Sequence, residues 1–345
     1  MTRDAVRGAA AGIAAAALFG LSAPLAKKLL PGTGPLLLAS LLYLGAGAAL
    51  SLARGVIPRA SEAPLRRADV PALAAIAILG GVLGPVAMLA GLARVSATAG
   101  SLLLNLEAVF TILLAVTLFR EHVSRRAAAA SALIIGGAAA LSGGAGGADP
   151  LGILLIAGAC LAWGIDNNLT QRLSLRDPIA LGRAKTLSAG ALTLVAALVS
   201  GHALPDAGAL AAALAVGAAG YGASIVLDVY ALRLLGAARE AAYFATAPFL
   251  GALAAVPLFG RMPGPAEAVA GALMVGGVLL LVRDRHGHVH GHEALEHDHV
   301  HVHDEHHRHE HDGPFVEPHA HPHRHAPLVH DHPHVSDLHH RHGHS

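Results

Sequence analysis

The sequence contains few charged residues: Asp, Glu, Lys and Arg make up 14% of its 345 positions, where a water-soluble domain carries about a quarter. Aromatic residues account for only 3%, so the Trp and Tyr belts that usually mark membrane boundaries are thin. A single cysteine, Cys160, excludes a disulfide within the chain. No nucleophile triad or phosphate loop is present, and a net charge of +1 supports no nucleic-acid partner. We therefore expect neither an enzyme nor a DNA- or RNA-binding protein.

Apolar residues dominate instead, at 54% of the chain. They form repeated stretches of about 20 residues, the length that an α-helix needs to cross a bilayer. The N-terminal stretch continues to Leu30, so we predict an uncleaved first helix rather than a signal peptide. The sequence thus predicts an all-α membrane protein in contact with lipid, with ten transmembrane helices at about 8–30, 35–53, 70–92, 97–119, 127–143, 151–170, 180–200, 208–232, 240–259 and 265–282.

Basic residues mark alternate connections between the predicted spans. The connections after the fifth and seventh spans, GGAGGADP and GHALPD, contain no Lys or Arg. Positive residues concentrate on the cytoplasmic side of membrane proteins, so we predict a multi-pass protein of a bacterial inner membrane with both termini in the cytoplasm. Four basic residues are exceptions, because the predicted topology places them on the side opposite the cytoplasm: Lys27, Lys28, Arg94 and Arg261. The residues behind the prediction are Arg3, Arg7, Arg54, Arg59, Arg66, Arg67, Arg120, Arg125, Arg126, Arg172, Arg176, Arg233, Arg239, Arg283 and Arg285.

The chain also repeats itself weakly. A shift of 140 residues places Leu118-Phe119 on Leu258-Phe259 and Gly136-Gly137 on Gly276-Gly277. Five spans per repeat is an odd number, so the second half must be inverted relative to the first, and such repeats form a binding site near the middle of the membrane. We predict two inverted five-helix repeats, residues 1–145 and 146–283, followed by a disordered cytoplasmic tail at 284–345.

Two segments carry a family resemblance. They are ASLLLNLEAVFTILLAVTLFREHVS, followed by Gly136-Gly137, and AAYFATAPFLGALAAVPLFGRMPG, followed by Gly276-Gly277. Through them the chain, over about residues 8–282, resembles the EamA-type transporters of the drug/metabolite transporter superfamily. The resemblance implies an exporter or importer of small metabolites, driven by an ion or substrate gradient. The family commonly has proline after the Leu-Glu pair; this chain has Ala108 there and keeps Pro248 in the second copy.

Glu107 is the leading candidate for a transport residue, because a carboxylate near the middle of a membrane span usually faces a cavity or a partner. Burial would favour its neutral, protonated form, which suits a proton-coupled carrier. A structural hydrogen bond between helices is the alternative. Asn105 lies two positions earlier, on a different face of the same predicted helix.

A second polar group lies at the end of the sixth predicted span, in GIDNNLTQRL. Asp166, Asn167 and Asn168 place polar side chains around the helix, and Lys185 lies at a similar depth on the next span. An ion pair between Asp166 and Lys185 could gate the cytoplasmic side. The alternative is an interfacial helix end with snorkelling charges. Tyr243 in the ninth span is a weaker candidate for the transport path.

The C-terminal tail holds 23 of the 25 histidines, all but His122 and His202. Imidazole binds zinc, nickel and cobalt, and the alternating spacing fits many exchangeable sites better than one fixed tetrahedral site. No cofactor is required, but we predict weakly bound Zn, Ni or Co. The alternatives are a pH response through histidine charge and a drifted low-complexity appendage. The predicted ligands are His286, His288, His290, His292, His297, His299, His301, His303, His306, His307, His309 and His311.

The sequence supports three functions. The first is a secondary transporter, preferably an exporter, that moves a small solute across the inner membrane by alternating access; the tail suggests a divalent cation or a metal-linked cargo. The second is a general metabolite or drug exporter whose tail only buffers metal or pH. The third is a membrane-anchored metal store or sensor without transport. The oligomeric state stays open, and a homodimer is one option.

Overall fold

A computed structural model describes residues 3–56, 64–119, 123–142, 148–171, 173, 176–235 and 237–283, together with the backbone of four short segments in the tail. The helices pack around a core of leucine and small residues, in which Leu37, Leu38, Leu89, Leu103 and Ile134 are almost fully buried. Small residues let helix backbones approach closely in lipid, where packing rather than the hydrophobic effect drives association.

The described part of the chain contains fourteen α-helices. Several begin at a side-chain cap; for example, Ser96, Asp177 and Asp206 accept hydrogen bonds from the first free backbone N–H groups of their helices. The helices are α1 Arg3–Thr33, α2 Pro35–Val56, α3 Val70–Ile76, α4 Gly84–Leu92, α5 Ala97–Leu103, α6 Leu106–Phe119, α7 Arg125–Ser142, α8 Pro150–Gln171, α9 Pro178–Val199, α10 Ala207–Gly217, α11 Ser224–Leu235, α12 Ala237–Phe244, α13 Ala247–Phe259 and α14 Pro265–Val282.

Helices are interrupted at matching places in the two halves. A π-helical segment, Ala77–Leu83, joins α3 to α4, and a second, Ala218–Ala223, joins α10 to α11. Residues 104–105 separate α5 from α6, and residues 245–246 separate α12 from α13. In both cases the two positions differ by 141 in the numbering. Directly after the first π segment, Gly84 and Pro85 begin α4; Pro85 has no N–H to donate, which weakens the regular helical ladder there.

Helix packing is also paired. Helix α1 packs against α11 and α13, and α8 packs against α4 and α6; α2 packs against α9, and α7 against α14. Glycines allow the closest approaches. A Cβ atom at Gly137 of α7 would lie 2.8 Å from Met274 Cγ, and one at Gly277 of α14 would lie 2.8 Å from the backbone oxygen of Ala130.

In the part of the chain that the structure describes, eight helical stretches are long and apolar enough to cross a membrane. Helices α7 and α9, at the fifth and seventh predicted spans, are not among them, because Arg125 and Arg126 begin α7 and Arg183 and Lys185 lie within α9. The count of ten spans therefore stays a prediction. The eight stretches are Ala5–Thr33, Pro35–Gly55, Arg67–Leu92, Ala97–Leu114, Pro150–Thr170, Ala207–Leu232, Arg239–Phe259 and Pro265–Val282.

Four short backbone segments of the tail are described, and the disorder of the tail stays a prediction. Four strands form two antiparallel pairs, β1 with β4 and β2 with β3. The register places histidine opposite histidine, as at His288 and His332. Histidine alternates with other residues at a period of two, which is the period of an extended strand. The strands are β1 His286–His292, β2 Leu295–His301, β3 His319–His325 and β4 Leu328–His334.

Candidate substrate-binding cavity

A cavity of about 230 Å³ lies between the two halves of the chain. At about 30 Å³ per water molecule it has room for roughly eight waters, which is the scale of a small solute. Its wall is formed by α1, α2 and α6 of the first half and by α8, α9, the second π segment, α11 and α12 of the second half. The lining residues are Phe19, Tyr43, Glu107, Trp163, Asp166, Asn167, Gly182, Lys185, Thr186, Tyr221, Ser224, Ile225, Asp228 and Phe244.

An ion pair between Asp166 of α8 and Lys185 of α9 forms one wall of the cavity. The Lys185 ammonium donates to Oδ2 of Asp166, and the Thr170 hydroxyl lies 3.2 Å from Oδ1. Only 4% of the Asp166 side chain is exposed, and a carboxylate so deeply buried needs a partner of opposite charge. The predicted contact is present; its role as a gate stays a prediction.

Glu107 lines the same cavity as that pair. The break at residues 104–105 places Glu107 in the first turn of α6, where the unpaired N–H groups and the helix dipole favour a negative charge. Asn167 Nδ2 donates to Glu107 Oε1 over 2.8 Å. This bond joins the first half of the chain to the second at the centre of the cavity.

Aromatic rings form much of the remaining wall. The whole chain contains seven Phe, four Tyr and one Trp, and five of these residues line this one cavity. The Phe19 ring lies 5.7 Å from Tyr221, edge to face, and 5.2 Å from Phe244. The Tyr43 and Tyr221 rings lie 5.9 Å apart. Such spacings are typical of favourable ring packing.

The carbonyl of Gly80, within the first π segment, holds two of these rings in place. Tyr43 Oη and Trp163 Nε1 both donate to it, each over 2.9 Å. Gly80 has no side chain, and a Cβ atom there would overlap the Asp166 carboxylate. The π segment therefore orients two aromatic rings and leaves room for the carboxylate of the ion pair.

A second acidic pair lies where α11 and α12 meet. Asp228 lines the cavity, and its carboxyl group interacts with that of Glu240. Oδ1 of Asp228 and Oε1 of Glu240 are buried, and neither has a hydrogen-bond partner in the described part of the protein. Two adjacent carboxylates repel each other, so a proton or a cation between them would be favourable.

The structure brings four of the seven residues predicted for the transport path into the cavity wall. These four come from α6 of the first half and from the consecutive helices α8 and α9 of the second half. They are Glu107, Asp166, Asn167 and Lys185. Their part in transport stays a prediction, because proximity to a cavity is geometry and not activity.

The other three lie elsewhere. Asn105 is buried and donates to the backbone oxygen of Leu102 over 2.8 Å. Asn168 donates to the backbone oxygen of Gly164, also over 2.8 Å. Tyr243 is absent from the cavity lining and packs against α1. Both asparagines thus donate to backbone oxygens of their own chain segment. Such a structural hydrogen bond is the alternative to a role in transport for a polar residue inside the membrane.

Sequence reasoning missed most of the aromatic wall. Phe19 and Trp163 fall on equivalent positions of the repeat, shifted by 144 in the numbering, yet nothing in that alignment indicates that both face one cavity. The available signal was the rarity of aromatic residues: the chain has seven Phe, four Tyr and one Trp, and five of them line this cavity. The missed residues are Phe19, Tyr43, Trp163, Thr186, Tyr221, Ser224 and Phe244.

The histidines predicted to bind metal have no described side chains. Seven of them, His286, His288, His290, His292, His297, His299 and His301, lie on the backbone of β1 and β2; His303, His306, His307, His309 and His311 lie outside the described residues. Among the residues that are described, no group of three or more His, Cys, Asp or Glu is arranged to hold a metal ion. Metal binding by the tail stays a prediction.

Polar contacts tie the helices together at the end of the bundle opposite most of the arginines. Lys27 Nζ donates to a backbone oxygen of α4 over 2.6 Å. Ser96 Oγ donates to Glu267, which joins the start of α5 to α14. Arg94 and Asp149 form an exposed ion pair at 3.1 Å. The cavity lies away from these contacts, towards the arginine-rich end.

Comparisons with known proteins place the chain in a family. The model of the EamA-like transporter family matches residues 6–143 and again 150–283. An uncharacterized transporter of Methanothermobacter thermautotrophicus is 30% identical over 289 residues, which cover 78% of this chain and 84% of that protein. A solved structure described only as "Crystal structure of protein" is 22% identical with a TM-score of 0.58, covering 80% of this chain and 97% of its own, and supports the fold. The chain is thus a multi-pass membrane protein that belongs to the EamA-like transporter family.

Proposed function

We propose that the protein is a secondary transporter that moves a small solute across a bacterial inner membrane by alternating access, with the cavity as its binding site. One observation carries the proposal: both halves matched by the family contribute to the cavity wall. In carriers built from inverted repeats, the substrate site lies between the repeats and beside interrupted helices. The helix break before Glu107 and the π segment that contains Gly80 both lie beside the cavity wall.

Paired features of the fold support ten membrane crossings in two inverted repeats. The π segments and the helix breaks recur at the same offset, and the helix contacts recur in equivalent pairs. Helices α7 and α9 complete the count of ten, because each has 18 residues or more and packs against an apolar partner. A less hydropathic span is tolerated where other helices cover its polar face.

The position of the cavity supports loading from the cytoplasm. Under the predicted topology, its lining residues lie from the middle of the membrane towards the cytoplasmic end. Contacts such as Ser96 to Glu267 tie the helices at the opposite end. An exporter requires a form whose cavity is open to the cytoplasm, so that it can take up its cargo. Release on the other side would require contacts such as Ser96 to Glu267 to open.

Cysteine accessibility tests alternating access directly. Cys160→Ala removes the single cysteine, which is buried, and Ile225→Cys then places one thiol in the cavity wall. We expect a membrane-impermeant maleimide to label it in both right-side-out and inside-out vesicles, with a ratio that changes when substrate is added. Ala159→Cys is the matched control, because Ala159 is 0% exposed and should not react. Labelling from one side only, under all conditions, would contradict the proposal.

The histidine-rich tail favours a second candidate, in which the cargo is a divalent metal or a metal-linked solute. The specific observation is the 23 histidines that follow the last predicted span. Inside-out vesicles with labelled nickel, cobalt or zinc test it, and deletion of residues 286–345 should then alter metal tolerance of the cell. Metal bound without flux would indicate a store or sensor. Flux of another solute, with tolerance unchanged, would indicate an exporter with a buffering tail.

A further inference from the structure

We infer that the cavity selects an organic cation, a solute with one positive charge on a small apolar frame, held between the aromatic rings and the Glu107 carboxylate. The inference rests on the proposed transport function and adds the charge and chemical class of the cargo. It depends on three features of the wall: its charge balance, its aromatic rings and the pairing of its one described basic residue.

The charge balance of the wall is negative. Glu107, Asp166 and Asp228 are acidic, and Lys185 is the one basic residue in the described lining. Lys185 forms its ion pair with Asp166 and its charge also acts on Glu107, so one basic residue faces three acidic ones in the described lining. Charges interact strongly in a cavity walled by low-dielectric protein and lipid. A positive guest would therefore be favoured over a neutral or negative one.

The rings offer faces rather than polar groups to a guest. The Tyr43 hydroxyl and the Trp163 indole N–H are both committed to the Gly80 carbonyl. Phe19 and Phe244 have no polar atoms at all. A cation over the face of Trp, Tyr or Phe, within about 6 Å of the ring centre, is attracted by the negative π surface. Quaternary and primary ammonium groups on apolar frames match this wall.

The one basic group that a negative guest would need is already paired. A carboxylate on a zwitterion would require an unpaired cation, but the Lys185 ammonium donates to Asp166, and one of the two Asn167 Nδ2–H groups donates to Glu107. A bare divalent cation prefers six or more oxygen ligands for calcium, or octahedral oxygen for magnesium. Five of the fourteen lining residues are aromatic, and a ring supplies no such oxygen ligand apart from a Tyr hydroxyl.

The single tryptophan provides the measurement. Trp163 is the only Trp in the chain, so its fluorescence reports on the cavity of the purified full-length protein. We expect benzyltrimethylammonium to change this fluorescence saturably, and phenylacetate, phenylalanine and nickel to bind at least about tenfold more weakly. Glu107→Gln should weaken the cation by about tenfold and leave the weak binding of phenylacetate unchanged or improved. Asp206→Asn, which removes an exposed carboxylate but keeps a helix cap, should change nothing.

A second measurement does not require a Glu107 variant to fold. In the Cys160→Ala, Ile225→Cys protein, benzyltrimethylammonium should protect the thiol from maleimide, and phenylacetate should not. Equal or better binding of the anion or zwitterion, or equal protection by both, would overturn the inference. The proposed function would survive that result if labelling still occurs from both membrane sides. One-sided labelling with normal cation binding would instead overturn the transport mechanism alone.

Discussion

The two π-helical segments make equivalent contacts with different chemistry. In the first half Gly80 lies against Asp166 of α8, and in the second half Gly220 lies against Ser22 of α1. Ser22 satisfies its own hydroxyl by donating to the backbone oxygen of Phe19 over 2.6 Å. Asp166 cannot do so and is paired with Lys185. The repeat therefore preserves the packing of a glycine against a polar side chain, and only one copy carries charge.

The asymmetry extends to the broken helices. Glu107 follows the break between α5 and α6, whereas the second half has Ala247 at the corresponding place after the break between α12 and α13. Asp228 of the second half corresponds to Met88 of the first, by the same shift of 140 residues. Duplication thus supplied the frame of the site, and substitutions in one copy or the other supplied its polar chemistry.

Breaking the charged contact should have the largest effect. Lys185→Met leaves the Asp166 carboxylate buried without a partner, and we expect a loss of about 3–5 kcal/mol in the free energy of unfolding. The double variant Lys185→Met, Asp166→Asn removes both charges and should recover most of it. Thermal unfolding in detergent measures the difference. A single variant as stable as the wild type would show that Asp166 is satisfied by something other than Lys185.

Placing a methyl group in each of the two glycine contacts should have the next largest effect. A Cβ atom at Gly80 would overlap the Asp166 carboxylate, and one at Gly220 would lie 2.6 Å from Ser22 Cβ. Gly80→Ala and Gly220→Ala should each lose about 1–3 kcal/mol from overpacking. Gly80→Ala should lose more and should also weaken cation binding, because it displaces the ion pair. Equal losses, with equal binding, would mean that the charge adds nothing to the contact.

Much of this comparison could be predicted from sequence, and the rest could not for a physical reason. The Asp166–Lys185 contact follows from two ionisable residues at similar depth on consecutive helices. Asn105 was predicted for the transport path, but the break at residues 104–105 ends the regular helical periodicity, and its side chain contacts Met274 at 3.9 Å instead. The aromatic wall joins five separate segments of chain, and no local pattern encodes such a convergence.

The acidic pair of the second half should respond with a smaller change. Glu240→Gln supplies an amide donor to the buried oxygen of Asp228 and removes a repulsion between two carboxyl groups. We expect a gain of about 1 kcal/mol in unfolding free energy at alkaline pH, where the two carboxyl groups no longer share a proton; this is the usual net value of one hydrogen bond. Glu240→Leu, which offers no donor, is the matched control and should not show this gain. A clear loss on Glu240→Gln would instead indicate that the pair binds a cation through its charge.

The smallest effect is expected at the exposed ion pair of Arg94 and Asp149. The depth of burial, and not only the presence of two charges, decides how much an ion pair contributes to the free energy of unfolding. The side chains of Arg94 and Asp149 are 48% and 38% exposed, and by the shift of 140 residues Arg94 corresponds to Leu234 in the second half. The hydrogen bond from Arg94 lowers the pKa of Asp149 below its ordinary value. A carboxyl group with a lower pKa in the folded state stabilises the fold above its unfolded pKa, about 4, and this contribution is lost as the pH falls through the folded pKa.

Asp149→Asn tests this because it removes the charge, while asparagine can still accept the hydrogen bond that Asp149 receives from the first turn of α8. Its melting temperature should fall only slightly below that of the wild type at pH 7. The difference should shrink as the pH falls below about 4 and vanish below the lowered pKa of folded Asp149, where the wild-type carboxyl group is itself neutral. Exposed pairs are weak because water screens the charges and the side chains lose freedom. A drop at pH 7 as large as that of Lys185→Met would refute the argument from burial and would make the surface pair, rather than the cavity, the stronger electrostatic link in the bundle.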